Sequence, residues 1–162
     1  MEIYLMQHGI PFPKDKDPEE GLSPEGTDQI RVTGRALKRM GVSPDAIVSS
    51  PKKRSQQTAA IVAKELALAT DKIIDTEKVK PMAPAADTID FLLGLVDRNR
   101  ILIAGHLPSV AEIASFMLTE GSKVLINFQM GGVCRIDLET LPTHSGVLQW
   151  YLRPDQLRLL GG

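Results

Sequence analysis

The chain alternates short apolar runs with longer segments in which apolar residues recur every three or four positions. Ile3 to Met6 is an unbroken apolar run that stops at Gln7-His8-Gly9, the pattern of a parallel strand buried on both faces whose C-terminal end opens into a loop. Gly9 to Gly21, "GIPFPKDKDPEEG", carries no apolar period and is rich in Pro, Asp and Lys. It reads as an exposed loop, long enough to border a site. A helix then follows, with Ser23 as its N-cap, Pro24 as its first residue, Ile30, Gly34, Leu37 and Met40 on one face, and Gly41 as its stop. "DAIVSS" (Asp45 to Ser50) reads as a second strand. Ser50-Pro51 repeats the cap-plus-proline device before a helix reaching about Leu66, with Lys53, Arg54 and Gln57 in or near its first turn.

The second half repeats the theme. A weak strand is predicted at Lys72 to Asp75, a Pro/Ala segment at Pro81 to Ala86, and a helix from about Asp87 to Val96 bearing Ile89, Leu92, Leu93 and Val96. Ile101 to Ala104 is a further apolar strand, ending in Gly105-His106, and the next helix turns Val110, Ile113 and Met117 inward. The tail offers "GGVCRIDLE" and "VLQWYLRP" separated by "TLPTHSG", a β-hairpin pattern suited to a sheet edge. The order β-α-β-α-(β)-α-β-α-β-β predicts an α/β fold, a mostly parallel sheet with helices on both faces. At 162 residues the chain is expected to form a single domain, residues 1–162, burying roughly two thirds of its unfolded surface.

Composition narrows the partners. A net charge of −1 supplies no global field for nucleic acid or for an anionic membrane, so any anion site must be local. Cys134 is the one cysteine, which excludes an intramolecular disulfide framework and a cysteine-based zinc site. It reads as a small core residue. The N-terminus lacks a basic, apolar leader and no run of about 18 apolar residues occurs. The expectation is a cytoplasmic protein without a membrane span. Oligomeric state has no signal in the sequence.

Candidate chemistry follows from topology. Ligands of open parallel sheets bind beyond the carboxyl ends of the strands, and His8, His106 and Arg54 each follow a predicted strand end. A neutral imidazole is a nucleophile near pH 7, while a second histidine and an arginine can hold the equatorial oxygens of a transferring phosphoryl group. Backbone N–H groups at a helix start add to such an anion site. The arrangement requires no metal and no cofactor. His144, in a Pro/Thr/Ser/Gly turn, reads as an exposed loop residue.

"LMQHG", "SSPKKRSQQTA", "AGHLPSV" and "LQWYLRP", with "LSPEG" and "PMAPAAD" between them, resemble in order and spacing the histidine phosphatase superfamily. More closely, they resemble its short, cap-less phosphohistidine phosphatases of the SixA type. The resemblance implies a phosphoglycerate-mutase-like, three-layer α/β/α sandwich with a five- or six-stranded, mostly parallel sheet. It also implies His8 as the nucleophile, Gly9 as its close-packed neighbour, Arg54 as a phosphate-binding arginine and His106 as the transition-state stabiliser, with Thr58-Ala59 completing the helix signature.

Two features depart from that pattern. The family's first motif is Arg-His-Gly, and here Gln7 stands at the phosphate-binding arginine. Glutamine offers two amide donors but neither charge nor fork. Losing a charge-assisted bond costs about 1.5–3 kcal/mol, roughly a tenfold to a few hundredfold in rate if felt fully in the transition state. Lys14, Lys16, Lys52 and Lys53 are the nearby cations that could replace the charge. Pro81 stands near the place where an acid is expected, with Glu77 and Asp87 as neighbouring candidates. Three functions remain open: hydrolysis of protein phosphohistidine through phospho-His8, phospho-ligand binding without turnover, and hydrolysis of small phosphate esters.

Overall fold

The computed structural model describes residues 1–95, 97–121 and 123–162. Six strands form one sheet: β1 (Glu2–Gln7), β2 (Ala46–Ser49), β3 (Ile73–Asp75), β4 (Arg100–Gly105), β5 (Val133–Asp137) and β6 (Val147–Leu152). Their order is β3-β2-β4-β1-β5-β6. The β3-β2, β2-β4 and β4-β1 pairs are parallel, while β5 runs antiparallel to both β1 and β6. The tail is therefore a hairpin at the sheet edge, as its pattern predicts.

Helices cover both faces. α1 (Pro24–Arg39), α2 (Lys53–Glu65) and α5 (Pro154–Gly161) lie on one, α3 (Ala85–Leu93) and α4 (Ser109–Leu118) on the other. Strand alternation divides the core between them. Ile3 and Leu5 of β1 join Ile101, Ile103, Ile89, Leu92, Val110, Ile113 and Met117. Tyr4 and Met6 join Ile47, Leu102, Ile30, Leu37, Ala59, Val62 and Leu157. Each fully buried Ile, Leu or Val contributes about 1.5–3 kcal/mol of transfer free energy, and this two-sided burial is why the strands read as continuous apolar runs.

The start of α1 follows its sequence signature. Ser23 Oγ accepts from Gly26 N–H at 3.0 Å, with Pro24 at the first position. At its other end Gly41 has φ +76°, while Gly41 N–H and Val42 N–H bond back to Lys38 and Leu37 carbonyls. Ile30, Gly34 and Leu37 are buried, but Met40 is only half-buried. Val32 and Ala36 form a second buried stripe, and α5 lies against it.

Three expectations need correction. Ser50 does not cap α2: the helix starts at Lys53 after Lys52, with no side-chain cap, because the Ser50 hydroxyl is turned toward His106 instead. The third helix runs Ala85–Leu93 rather than Asp87 to Val96, starting after Pro84, and Val96 lies outside the described residues. Helix α5 has no counterpart in the sequence reading. Only Leu157 and Gly161 of its residues are buried, and Leu159 faces outward, so no apolar period marks it.

Gly26 sets how closely α1 approaches the loop after β1. A Cβ built there would run into the Ile10 backbone, its carbonyl oxygen first, and the same carbonyl accepts from Ser23 N–H and Ser23 Oγ–H. Ordinary helix propensity makes Gly→Ala stabilising by about 0.8–1 kcal/mol. Here Gly26→Ala is expected to destabilise by about 1–3 kcal/mol through overpacking. Urea unfolding of the two proteins checks the sign, and a gain in stability would refute this packing role.

Candidate active site

Sheet register builds the site. Gln7 pairs with Gly105 across β1 and β4, and Ser49 pairs with Ala104 across β2 and β4. His8 and His106 therefore leave two neighbouring strands at one level, and Ser50 leaves β2 one residue earlier, beside Gly105. His8 N–H still donates to Gly105 O at 3.0 Å. The two imidazoles tilt against each other with centroids 4.9 Å apart, and Ser50 Oγ lies 2.6 Å from His106 Nε2.

α2 brings the cation. Its second residue, Arg54, directs Nε–H to His8 Nε2 at 3.1 Å and Nη1 toward Glu20 Oε2 at 3.5 Å. Two hydroxyls of the same helix fix its position. Ser55 Oγ–H donates to Ala104 O at 2.6 Å and accepts from Ser50 N–H at 3.0 Å. Thr58 Oγ1 accepts from Gly9 N–H at 3.1 Å and donates to Arg54 O at 2.7 Å. Gly9 is held equally closely, since a Cβ there would fall 2.5 Å from Ile30 Cγ1.

These contacts define the protonation of His8. Nδ1 faces the Gly9 carbonyl at 2.7 Å, so Nδ1 carries the hydrogen. Nε2 is then the lone-pair nitrogen that accepts from Arg54. Burial lowers the His8 pKa from 6.5 to about 4, helped by the Arg54 guanidinium and opposed by the Gly9 carbonyl and Glu20. Burial also takes His106 down to about 3, with His8, Arg54 and Lys52 adding to the shift. Both rings are neutral near pH 7. A neutral imidazole with its lone pair aimed at a guanidinium is chemically suited to attack an electrophile that carries anionic oxygens.

The helix start is unusual in its charge. α2 opens with Lys53-Arg54 and no acid in its first turn, the reverse of what a helix N-terminus favours. Lys53 is tied to Asp17 and Glu19 at 3.3 and 3.1 Å, while Lys52 contributes to the field at His106. Lys14 and Lys16 lie in the exposed loop. Gln7, the last residue of β1, is buried with its side-chain carbonyl Oε1 making no hydrogen bond, and His106 Nδ1 is in the same condition. Burying such atoms unpaired costs about 1–3 kcal/mol each.

Structure and sequence part at the acids. Glu77 forms an ion pair with Lys80, and Asp87 one with Lys78 at 2.8 Å. The carboxylate that reaches Arg54 belongs to Glu20, which the sequence reading leaves in an exposed loop. Ser50 and Ser55 were equally invisible as site residues, because hydroxyls beside a Pro or inside a helix carry no signal of what they face. His144 is exposed as expected, yet it is anchored: Nδ1 lies 2.7 Å from Phe116 O and its ring packs on Phe116 with centroids 4.4 Å apart. Cys134 is a buried free thiol. Among the described residues, no three His, Cys, Asp or Glu side chains cluster as metal ligands do, and no helix is long and apolar enough to cross a membrane.

Residues 3–77, which contain His8 and Arg54, match the histidine phosphatase superfamily (branch 1) profile. The fold superposes on the protein histidine phosphatase SixA, solved with tungstate, at a TM-score of 0.83 over 97% of this chain and 99% of that one, with 21% identity. The profile match covers just under half of the chain, and the likeness over the whole chain is one of fold. Its six-stranded α/β/α sandwich is the phosphoglycerate-mutase-like fold of such histidine phosphatase structures.

Further similar proteins differ in how much they cover. A putative phosphohistidine phosphatase SixA from Agrobacterium tumefaciens superposes at 0.75 over 94% of this chain and 97% of its own, with 18% identity. An uncharacterised protein of a Picosynechococcus strain is 24% identical over 141 residues, 82% of each chain. The mitochondrial serine/threonine-protein phosphatase Pgam5 of Drosophila yakuba is 30% identical over 83 residues, 51% of this chain, and the match spans 29% of that protein.

The two buried neutral histidines make stability pH-dependent. Each has a folded pKa below its ordinary value of 6.5, so the unfolded chain binds protons more readily. Their contribution is complete above pH 6.5 and is lost as the pH falls toward 4 for His8 and 3 for His106. Acidification from pH 7 to 5 is expected to cost on the order of 2 kcal/mol per histidine. Thermal melts of the protein and of His106→Gln across this range check it. The variant should show a visibly shallower fall in Tm, and parallel curves would refute the assignment.

Proposed function

We propose that the protein is a phosphohydrolase that works through a phospho-His8 intermediate, with protein phosphohistidine as its substrate. The observation that carries this reading is the His8 pair of contacts: Nδ1–H on the Gly9 carbonyl and Nε2 facing the Arg54 guanidinium. The first fixes the tautomer; the second places an anion-binding fork at the nucleophilic nitrogen. The cationic, acid-free start of α2 supports the same reading, because an anion relieves it.

In the first step the Nε2 lone pair attacks phosphorus, and the bond from phosphorus to the substrate nitrogen breaks. The substrate imidazole keeps that electron pair and leaves neutral once its ring is protonated, which asks less of a general acid than an alkyl ester does. In the second step water attacks the phosphoryl group, the bond from phosphorus to Nε2 breaks, and His8 recovers its lone pair with phosphate as product. Arg54 and His106 hold the phosphoryl oxygens, Gly9 lets the loop close-pack, and Gln7 supplies amide donors where the family pattern has an arginine. The cycle draws on protein groups alone, without a metal or cofactor. Its expected location is the cytoplasm, in keeping with one buried thiol and no disulfide.

A second reading is favoured by Gln7. With one guanidinium fewer, the site could retain phosphate without turning it over, as a phospho-ligand binding module. Small phosphate esters form the remaining alternative substrate class.

Hydrolysis of a phosphohistidine-bearing protein, an aryl phosphate and a sugar phosphate separates these readings. His8→Ala is expected to abolish turnover, and Gln7→Arg to raise kcat/KM by about tenfold to a few hundredfold. Full activity in His8→Ala would refute the mechanism. No turnover by the unaltered chain, with phosphate still raising its Tm, would establish the binding module.

A further inference from the structure

The loop between β1 and α1 is built to hold one carboxylate against Arg54. Asp17 organises it: its two oxygens accept from Glu19 N–H and Gly21 N–H, both at 3.0 Å, while its carbonyl accepts from Glu20 N–H at 2.8 Å. Lys53 clamps the same turn from α2 through Asp17 and Glu19. Between these anchors Glu20 is held at φ +52°, a left-handed conformation that non-glycine residues rarely adopt. Residues kept in such conformations by their surroundings cluster at functional sites. The outcome is a carboxylate 3.5 Å from Arg54 Nη1, with the arginine side chain 13% exposed and the glutamate 38%.

This contact matters because of what Arg54 does with its other end. Nε–H of the same guanidinium occupies the lone pair of His8 Nε2, the atom that must meet phosphorus. At 3.5 Å the Glu20 contact is longer than a tight charge-assisted bond of about 2.7–2.9 Å, and is therefore exchangeable.

Resting on the phosphate-binding role given to Arg54 above, we propose that Glu20 is a positioning residue that competes with the phosphoryl group for Arg54. In the ligand-free protein it stands in for the anion and holds the guanidinium over His8. An arriving phosphoryl group takes the guanidinium from Glu20 and uncovers Nε2. The released carboxylate borders a cleft of about 420 Å³ that is lined also by Arg54, Lys52 and Lys53. Glu20 thus lowers affinity for phosphate and does not touch the transferring bond.

Binding of inorganic phosphate, followed by titration calorimetry, and aryl phosphate kinetics test this in the full chain. Glu20→Gln should tighten the phosphate Kd by about three- to tenfold and lower KM similarly, with kcat within about twofold. Glu20→Gly, which suits the left-handed backbone, should do the same and guards against a folding artefact. Asp15→Asn removes an equal charge from the exposed part of the same loop and should change Kd by less than twofold. Unchanged or weaker phosphate binding in both Glu20 variants overturns the proposal. So does equal tightening in Asp15→Asn, which would make the effect one of general charge, and so does a collapse of kcat at constant Kd, which would make Glu20 a proton donor. Absence of phosphate binding in the unaltered chain would instead overturn the reading of Arg54 beneath it.

Discussion

Parallel register between β1, β4 and β2 is the constraint on which the site depends. It pairs Gln7 with Gly105 and Ala104 with Ser49, and the residues that follow these pairs leave the sheet side by side. The ring-to-ring distance of the two histidines is thus a property of backbone hydrogen bonding. A one-residue slip of β1 would exchange Ile3 and Leu5 with Tyr4 and Met6 between the two layers and break their packing. The hydrophobic core and the site geometry are therefore protected by the same energy.

The site itself works against stability. Two imidazoles are buried next to an arginine, with His106 Nδ1 and Gln7 Oε1 unpaired, and a helix begins on cations. The compensating contacts come from small hydroxyls. Ser55 ties α2 to the end of β4, Thr58 ties it to Gly9, and Ser50 engages His106. All three are buried, so their bonds are shielded from water, and they set the position of Arg54 through the backbone of its helix. Their combined effect is to fix a cation opposite the neutral His8 imidazole.

Charge at the site is lower than in the Arg-His-Gly pattern that the chain resembles. Gln7 removes one cation and Glu20 offsets the other, leaving Lys52 as an exposed contributor at the cleft. In the proposed reaction a phosphoryl group is therefore held by geometry as well as by charge, through the arginine fork, the neutral imidazole and the start of α2. The weak pairing of Arg54 with Glu20 is consistent with a guanidinium that has two alternative partners.

The sequence by itself determined the layered α/β architecture, the edge hairpin, and the assembly of His8, Arg54 and His106 at one rim. The reason is that each rests on local physics: uninterrupted apolar runs mark buried parallel strands, Ser-Pro and Gly mark the ends of α1, and parallel strands present their C-terminal ends together. Tertiary structure alone decided the rest. Helix α5 exists because Leu157 and Gly161 fit the second stripe of α1, a contact with no periodic signal. Ser50 is a partner of His106 and not a helix cap, because strand register brings the histidine to its hydroxyl. Glu20 faces Arg54 because a loop of charged residues closes around Asp17 and Lys53, and pairings among such residues are set by three-dimensional packing, which composition does not encode.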